Sequence, residues 1–334
     1  MRAIEMTATG GPEVLRLNEA AAEPQLRSPT QIKVRLHAAG VNPIDTKIRT
    51  RGLFYDAAPP AILGCDGAGE VVAVGEQVTR FKVGDAVWFC HGGLGREPGN
   101  YAEYTVLEQA EAERKPNAID FAEAGAAPLV LITAWESLFD QAGLAAGETV
   151  LIHAGAGGVG HVALQLAKAH GARVITTVGN AENAAFVRGL GADEVIDYRT
   201  QDLVESVLQL TDGRGVQVCL DSVGPEVFRN SIQAMAPYGR LVTLLDPGTD
   251  LDLSQARSKN LKIAFTLMLT PMLADLAAAR AHQGEILEEC ARLVDGGQLK
   301  IHVSGEFLLE DAADAHRAIG TGHTRGKLVL LPQA

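Results

Sequence analysis

The residues best suited to chemistry lie in a glycine-rich turn, GAGGVG at 155–160, which follows an apolar run at 150–152. Apolar residues recur at helical spacing after the turn. In strand–turn–helix units of this kind, glycines allow a tight turn, close approach of backbone to a pyrophosphate, and packing of helix on strand. Free N–H groups at the helix start then face the anion. The alternative is a packing turn without a ligand. The residues predicted to bind a dinucleotide here are Gly155, Gly157, Gly158, Val159 and Gly160.

The predicted secondary structure that must position this turn changes in type near residue 122. Before it, short β-rich runs such as 32–41 and 69–75 alternate with turns. After it, strands alternate with helical segments, which predicts a parallel, doubly wound sheet. The tail, from about residue 268, has no second unit of this kind, so we predict that it completes the first domain. The predicted domains are therefore residues 1–122 with 268–334, and residues 123–267.

Composition and charge exclude several classes of function. The 334 residues are 47% hydrophobic, and the net charge of -12 argues against general affinity for nucleic acid or anionic membrane. The longest apolar stretches are shorter than the ~18 residues that a membrane span needs. The first residues lack a secretory or transit pattern, so we expect a cytoplasmic protein. The 4 cysteines are widely separated, without a CxxC pair, which argues against a structural zinc site.

Six segments carry a resemblance that extends from one end of the chain to the other. The chain resembles the zinc-independent quinone oxidoreductase (zeta-crystallin-like) branch of the medium-chain dehydrogenase/reductase superfamily. That resemblance implies a GroES-like β domain formed by both chain ends, a central Rossmann domain, and NADPH in a cleft between them. The segments are AAGVNPIDTKIR (38–49), GCDGAGEVVAVGEQVTRFKVGDAVW (64–88), ITAWESLFD (132–140), AGAGGVGHVALQLAK (154–168), GADEVIDYR (191–199) and GKLVLL (326–331).

The resemblance raises the question of zinc, because zinc-dependent alcohol dehydrogenases share this architecture. A catalytic zinc needs about three protein ligands around one open position. Where those enzymes carry their first cysteine ligand, this chain has Asn42 or its neighbours. Where they carry histidine and glutamate after a glycine, it has Cys65 and Asp66. We therefore expect no metal, with Cys65 lining a pocket and Asp66 acting as a turn or hydrogen-bonding group.

Without a Lewis acid, the chain has no evident means of deprotonating an alcohol. Hydride transfer from a nicotinamide to a quinone, or to the β-carbon of an α,β-unsaturated carbonyl, needs only positioning and exclusion of water. By resemblance, Asn42 forms the pocket floor, where it is a candidate contact of both the cofactor and the acceptor, with Asp45 and Lys47 nearby. Many relatives have tyrosine in place of Lys47, so Lys47 and Tyr55 are both candidates for stabilising the acceptor oxygen.

The choice of nucleotide depends on the end of the second Rossmann strand. An NAD-selective site places a carboxylate there, whereas this chain has Gly179 and Asn180. A 2′-phosphate therefore avoids a repulsion of about 1 to 4 kcal/mol. Glu182 and the absence of a lysine at Asn183 weaken the argument. Tyr198 matches a tyrosine that touches the 2′-phosphate in relatives, so we predict NADPH, with NADH tolerated.

Other cofactor contacts follow from the resemblance. Thr133 is expected to open a helix and reach the nicotinamide-side ribose or phosphate, or else only to cap the helix. Asp221 is expected to cap the turn after its strand, and His153 to be a hydrogen-bonded core residue rather than a base. The remaining predicted contacts are Ser222 and Val223 at the adenine-side ribose, Leu244 and Leu245 at the nicotinamide, and Lys327 at the cofactor or closing the cleft.

Three functions stay open: an NADPH-dependent quinone reductase, an alkenal or enone reductase, and a non-enzymatic nucleotide-binding protein. The acidic charge balance disfavours the third as a nucleic-acid partner. Relatives are commonly dimers joined through the edge of the Rossmann sheet. We therefore expect a homodimer, with residues 260–269 as the candidate interface.

Overall fold

The computed structural model describes residues 1–332, which form two compact units. One unit contains Met1–Leu129, Leu269–Gly297 and the chain from Ile301 onward, and the other contains Val130–Met268 with Gln298–Lys300. We call them the terminal unit and the central unit. The domain limits predicted from the sequence, at 122/123 and 267/268, remain a proposal for how the chain divides into folding domains.

Sixteen strands lie within the described residues. They are β1 Ala3–Met6, β2 Leu15–Asn18, β3 Gln31–Val41, β4 Ala61–Ile62, β5 Asp66–Val74, β6 Ala86–Cys90, β7 Tyr104–Glu108, β8 Ala112–Arg114, β9 Thr149–Ile152, β10 Arg173–Val178, β11 Glu194–Asp197, β12 Val216–Asp221, β13 Met235–Thr243, β14 Lys262–Phe265, β15 Val303–Leu308 and β16 Lys327–Leu331.

Eleven α-helices accompany these strands in the same part of the chain, together with short 3-10 turns and a π-helix at Glu136–Gln141. The α-helices are α1 Pro43–Arg51, α2 Phe121–Ala126, α3 Pro128–Trp135, α4 Gly158–Ala169, α5 Ala181–Gly189, α6 Leu203–Leu210, α7 Pro225–Ala234, α8 Ser254–Ser258, α9 Thr270–Leu273, α10 Ala277–Asp295 and α11 Ala312–Gly320.

The terminal unit is built on a mainly antiparallel sheet of seven strands, in the order β15-β16-β3-β5-β6-β8, with β7 also paired to β3. Along β3, Ile32, Val34 and Leu36 are fully buried, while Lys33 and Arg35 between them lie on the other face. This alternation matches the two-residue period of a strand and builds one face of the core. The late strand β16 pairs antiparallel with β3, so residues from both ends of the chain complete one sheet.

The central unit contains a parallel sheet of six strands in the order β11-β10-β9-β12-β13-β14. Apolar residues from the middle of five strands pack together in its core with residues of α6 and α7, as expected when helices cover a parallel sheet. The prediction of a doubly wound parallel sheet is confirmed. These core residues are Leu151, Ile175, Ile196, Cys219 and Leu241.

One local prediction is wrong. Thr133 does not open a helix, because α3 begins at Pro128 and Thr133 lies in its later part. Proline suits the first turn of a helix, where its missing N–H has no partner to lose. The Thr133 carbonyl accepts a hydrogen bond from Oγ of Ser137 at 2.6 Å, and Ser137 lies in the π-helix that directly follows α3.

Within residues 1–332, no helix is both long enough and apolar enough to cross a membrane.

Candidate functional site

The glycine-rich turn connects the end of β9 to the start of α4, as the sequence predicts. A Cβ atom at Gly155 would lie 2.0 Å from Oγ1 of Thr176, and one at Gly160 would lie 2.2 Å from the carbonyl oxygen of Ala154. Real Cβ atoms do not approach other atoms so closely. Gly155 therefore lets β9 pack beside β10, and Gly160 lets α4 start directly against the turn.

The N-terminus of α4 is open to an anion. Gly157 is the N-cap residue, and no side chain caps the helix. The N–H groups of Gly158, Val159 and Gly160 belong to the first turn, where an α-helix supplies no acceptors. These amides and the positive end of the helix dipole form the kind of site that binds phosphate. The turn is therefore suited to the pyrophosphate of a dinucleotide.

The strand order places this turn where such sheets bind ligands. The chain runs from β9 to β10 and β11 on one side, then crosses to β12 and β13 on the other. The carboxyl ends of β9 and β12 thus flank the point at which the topology reverses, which is the usual ligand crevice of a doubly wound sheet. Segments after β9, β10, β12 and β13 meet at this edge of the sheet and carry most of the predicted cofactor contacts: Gly155, Gly157, Gly158, Val159, Gly160, Gly179, Asn180, Ser222, Val223, Leu244 and Leu245.

At the end of β10, Gly179 and Tyr198 are in close contact. A Cβ atom at Gly179 would lie 2.4 Å from the Tyr198 hydroxyl oxygen, and Tyr198 is 57% exposed. Asn180 caps α5, because its side-chain oxygen accepts a hydrogen bond from the N–H of Asn183 at 2.8 Å. Only neutral groups therefore occupy positions 179 and 180 at the strand tip, and an exposed phenol lies beside them.

At the end of β12, Asp221 caps the following turn, as predicted. Its Oδ1 atom accepts hydrogen bonds from the N–H groups of Val223 at 2.9 Å and Gly224 at 3.2 Å. Its Oδ2 atom accepts from the Thr243 hydroxyl at 3.0 Å, which ties the ends of β12 and β13 together. Ser222 Oγ donates to the His153 carbonyl at 3.3 Å. Asp221 therefore organises the edge of the sheet.

In the terminal unit, a buried polar cluster surrounds Asn42, whose side chain is fully shielded from solvent. The Asn42 amide nitrogen donates to Oδ2 of Asp66 at 2.8 Å, and its amide oxygen accepts from the Lys327 ammonium. That ammonium also donates to the carbonyl of Val41 at 3.1 Å. Asp66 Oδ1 accepts from the N–H of Leu129 at 2.7 Å. The structure thus brings together Asn42 and Lys327, two residues that were predicted from distant segments.

Asp45 extends this cluster toward α11. Its Oδ2 atom accepts from the N–H of Asn42 at 2.8 Å and from the Tyr101 hydroxyl at 3.0 Å. The Tyr101 oxygen lies 3.2 Å from Nε2 of His316. All four side chains are buried.

Burial sets the protonation of these groups. It raises the pKa of Asp45 to about 7 and the pKa of Asp66 to about 6, against the opposing effect of Lys327 and their hydrogen-bond donors. It lowers the pKa of Lys327, although Asp66 favours the ammonium. It also lowers the pKa of His316 to about 3, so that imidazole is neutral. The cluster therefore holds carboxyl groups that titrate near neutral pH.

Lys47 and Tyr55 lie outside this cluster. Lys47 is half-buried on α1. The Tyr55 hydroxyl donates to the carbonyl of Met272 at 2.9 Å, and the Arg96 guanidinium lies 4.3 Å from the centre of its ring. Because the phenol proton already has an acceptor, Tyr55 would have to give up that bond in order to donate to an acceptor oxygen.

Two family models match the chain. Residues 28–117 match the alcohol dehydrogenase GroES-like domain, and residues 190–330 match the zinc-binding dehydrogenase model. A curated quinone oxidoreductase of Pseudomonas aeruginosa is 39% identical over 334 residues, covering 98% of this chain and 99% of the relative. The chain belongs to the quinone oxidoreductase branch of the medium-chain dehydrogenase/reductase superfamily. It is therefore an oxidoreductase, and the predicted combination of a GroES-like domain and a Rossmann domain is confirmed.

Solved structures of this superfamily share the whole fold. An alcohol dehydrogenase superfamily protein from Novosphingobium aromaticivorans superposes with a TM-score of 0.92 at 36% identity, and the match covers 100% of both chains. The Escherichia coli quinone oxidoreductase, solved as a complex with NADPH, superposes with a TM-score of 0.87 at 33% identity over 99% of this chain and 100% of that one.

Since one family model is named for zinc binding, the residues at the superfamily's zinc position are informative. Among residues 1–332, no group of three or more histidine, cysteine, aspartate or glutamate side chains is arranged to hold a metal ion. Both oxygens of Asp66 accept hydrogen bonds, as predicted for a hydrogen-bonding group. Burial raises the pKa of Cys65 well above its ordinary value, which keeps the thiol protonated.

Two residues of the buried polar cluster around Asn42 and Asp45, Tyr101 and His316, were not predicted from the sequence. Tyr101 follows a turn-rich loop and His316 lies on the last helix, so nothing in their spacing links them to Asp45. The only available indication was position: the closing GKLVLL segment, predicted to return to the first domain, brings α11 with it.

Proposed function

We propose that this chain is an NADPH-dependent reductase that delivers hydride to a quinone without zinc. The observation that carries the proposal is the open N-terminus of α4, placed by Gly155 and Gly160 at the carboxyl end of the central parallel strand. When bound, NADPH supplies the hydride. The protein then needs to bind, orient and exclude water, and a metal is not required for those tasks.

The residues present fit this nucleotide. The amides of 158–160 would hold the pyrophosphate, and the segments after β10, β12 and β13 would line the two ribose rings and the nicotinamide. Thr133 remains a proposed contact from within α3, in place of its predicted role at a helix start. The assignments of Asn42 and Lys327 to the cofactor, and of Asn42, Lys47 and Tyr55 to the acceptor, also stay predictions.

The preference for NADPH over NADH rests on the end of β10. Gly179 and Asn180 put no carboxylate at that strand tip, and the exposed Tyr198 hydroxyl beside Gly179 offers a hydrogen bond to a 2′-phosphate. The Escherichia coli relative was solved with NADPH, which supports the same choice here. Glu182 is exposed on the first turn of α5. Because a carboxylate near this strand end favours NADH, we expect NADH to bind as well, but more weakly than NADPH.

The chemistry of the Asp66 region supports zinc independence. A zinc ligand must be deprotonated and have a free lone pair directed at the metal. Asp66 has hydrogen bonds on both oxygens, and the Lys327 ammonium already lies 3.8 Å from Oδ2. Cys65 is held as a neutral thiol by burial. A dication would have to displace the ammonium and deprotonate the thiol.

Steady-state kinetics with the purified protein test this function. We expect NADPH oxidation in the presence of a quinone, retained after dialysis against a chelator, with a lower kcat/KM for NADH. Oxidation driven better by a 2-alkenal than by any quinone would favour the enone reductase instead. Tight nucleotide binding without turnover of either acceptor would favour the non-enzymatic alternative. Stoichiometric zinc required for turnover would overturn the proposal.

We also propose that the chain forms a homodimer through the β14 edge of the parallel sheet. β14 is the last strand in the sheet order, and Phe265 and Leu267 are 59% and 56% exposed beside it. An unpaired strand edge with exposed apolar side chains favours pairing with a second copy. Light scattering coupled to size exclusion should give twice the chain mass, and Phe265→Asp should shift the protein toward monomer.

A further inference from the structure

Ala154, the residue before the glycine-rich turn, has a left-handed backbone that is unfavourable for a residue with a Cβ. Its φ is +52°, in the region that glycine adopts most easily. Two hydrogen bonds hold it there. Its N–H donates to Oγ1 of Thr177 at 3.1 Å, and its carbonyl accepts from the N–H of Gly157 at 2.9 Å. The direction of the turn therefore depends on the partner that holds the Ala154 N–H.

That partner, Thr177, is the first of three buried side chains that contact one another in series. Thr177 Oγ1 lies 3.3 Å from Nδ1 of His153, and His153 Nε2 lies 2.9 Å from Oγ of Ser231. Ser231 in turn donates to the carbonyl of Val227 at 2.7 Å on α7. His153, Thr177 and Ser231 are each at most 3% exposed, so water does not compete for these groups.

One arrangement of donors and acceptors with a neutral imidazole satisfies all of these contacts. When the single hydroxyl proton of Ser231 is donated to the Val227 carbonyl, the Ser231 oxygen accepts from Nε2–H of His153. Nδ1 is then the acceptor for the Thr177 hydroxyl. With its proton directed at His153, the Thr177 oxygen has a lone pair for the Ala154 N–H.

Burial agrees with that arrangement. It lowers the pKa of His153 to about 4, so the ring stays neutral across the physiological range. A protonated ring would carry a hydrogen on Nδ1 and would turn the Thr177 hydroxyl away from it.

From this geometry we infer that His153 is a positioning residue for nucleotide binding, which acts through Thr177 to hold Ala154 and orient the glycine-rich turn. The inference rests on the proposed function, since it assigns a role within the same nucleotide site. It predicts that removing a hydrogen bond between Ala154, Thr177 and His153 weakens NADPH binding, and that the chemical step is unaltered once NADPH is bound.

Thr177→Val and His153→Leu test this role in the full-length protein. We expect each to raise the Kd and KM for NADPH about three- to tenfold, as loss of one buried hydrogen bond would. We expect kcat at saturating NADPH to stay unchanged. The matched control is Thr211→Val. Thr211 is also buried in the central unit, accepts a backbone N–H from Gly215 at 3.0 Å and donates to Val207 at 2.7 Å, at the opposite end of the sheet. It should lower Tm without changing Kd.

A rescue variant separates positioning from general damage. Glycine adopts a positive φ without strain, so Ala154→Gly in the Thr177→Val background should recover at least half of the lost affinity for NADPH. In protein labelled with 15N-histidine, the signal that disappears in His153→Leu should report a neutral ring protonated on Nε2 from pH 8 down to pH 5.

The outcomes distinguish this inference from the function on which it rests. If the unaltered protein does not bind NADPH, the proposed function fails. If it binds NADPH and Thr177→Val binds equally well, the inference fails while the function stands. A ring protonated on Nδ1, equal weakening by the Thr211→Val control, or no recovery with Ala154→Gly would each overturn the positioning role.

Discussion

The Lys327 Nζ atom lies 3.8 Å from Oδ2 of Asp66, and both side chains are shielded from solvent. An ion pair removed from water loses much of its hydration, and hydrogen bonds to Asn42 and Val41 replace part of it. Removing one partner leaves the other charge buried without compensation. The pair therefore joins β16 to the start of β5 in a way that is sensitive to any change of charge.

Lys327→Met should lower the free energy of unfolding by about 3 to 5 kcal/mol, because Asp66 loses its counter-charge in a buried site. Urea denaturation at pH 7.5 measures this. Lys82→Met, at an exposed position of the same unit, should change stability by less than ~0.5 kcal/mol. The double variant Lys327→Met with Asp66→Asn should recover part of the loss. Equal stabilities of Lys327→Met and the unaltered protein would contradict this account.

The pH dependence of stability should report Asp45. Burial raises its pKa to about 7, whereas an unfolded aspartate has a pKa of ~3.9. The folded protein therefore keeps a proton that the unfolded chain releases, and the resulting stability is lost as the pH rises from about 4 to about 7. Asp45→Asn keeps an acceptor for Asn42 and Tyr101 but cannot titrate.

Across that interval, the unfolding free energy of the unaltered protein should fall relative to that of Asp45→Asn, on the order of a few kcal/mol. Denaturation curves at several pH values give the difference directly, since groups common to both proteins cancel. A constant difference between the two proteins would show that Asp45 is not titrating in this range.

Asn180→Asp should reverse the choice of nucleotide. Aspartate caps a helix as well as asparagine does, so the bond to the N–H of Asn183 is kept. The added charge would repel a 2′-phosphate by about 1 to 4 kcal/mol, and kcat/KM for NADPH should fall tenfold or more while that for NADH holds or rises. Asn180→Ser, a neutral cap, should retain the preference. Unchanged NADPH kinetics in Asn180→Asp would place the 2′-phosphate elsewhere.

Gly160→Ala should abolish stabilisation by NADPH. Its Cβ would lie 2.2 Å from the Ala154 carbonyl oxygen, so α4 must move away from the turn, at a cost of about 1 to 3 kcal/mol. The upward shift of Tm on adding NADPH measures binding. Gly189→Ala, where nothing lies within 4 Å of the new Cβ, should instead stabilise the protein by about 0.5 to 1 kcal/mol and keep that shift.

Lys47→Met and Tyr55→Phe should separate the two candidates for the acceptor oxygen. A donor that stabilises developing charge lowers kcat when removed, by tenfold or more, with little change in the KM for NADPH. Tyr55 must release Met272 in order to donate, so we expect the larger effect at Lys47. Turnover unaffected by either change would mean that other groups, or water, meet the acceptor oxygen.

Local patterns were sufficient to predict the geometry of the glycine-rich turn from the sequence. The spacing of the glycines predicts a close approach of helix to turn within one short segment, and the structure contains it between Gly160 and the Ala154 carbonyl. Asp221 likewise caps a turn formed by its next neighbours. Such features depend on residues that are adjacent along the chain, so composition and spacing predict them well.

Contacts between distant segments were harder to predict. Tyr101 and His316 meet although they are 215 positions apart, and no periodicity in either segment specifies that contact. The wrong helix start at Thr133 has a local cause. Proline favours the first turn of a helix, and α3 begins at Pro128. Lys327 was expected to contact the cofactor or close the cleft. Its burial against Asn42 depends on how the last strand pairs, which the sequence pattern leaves undetermined.

The pairing of β16 with β3 has a consequence for biosynthesis. Until the ribosome has passed residue 331, the Ala39–Val41 side of β3 lacks its neighbour, and an apolar strand edge stays available to other nascent chains. The terminal unit can close only after translation of the whole central unit. Slow release, or a premature stop shortly before β16, should therefore expose this protein to chaperone capture and aggregation.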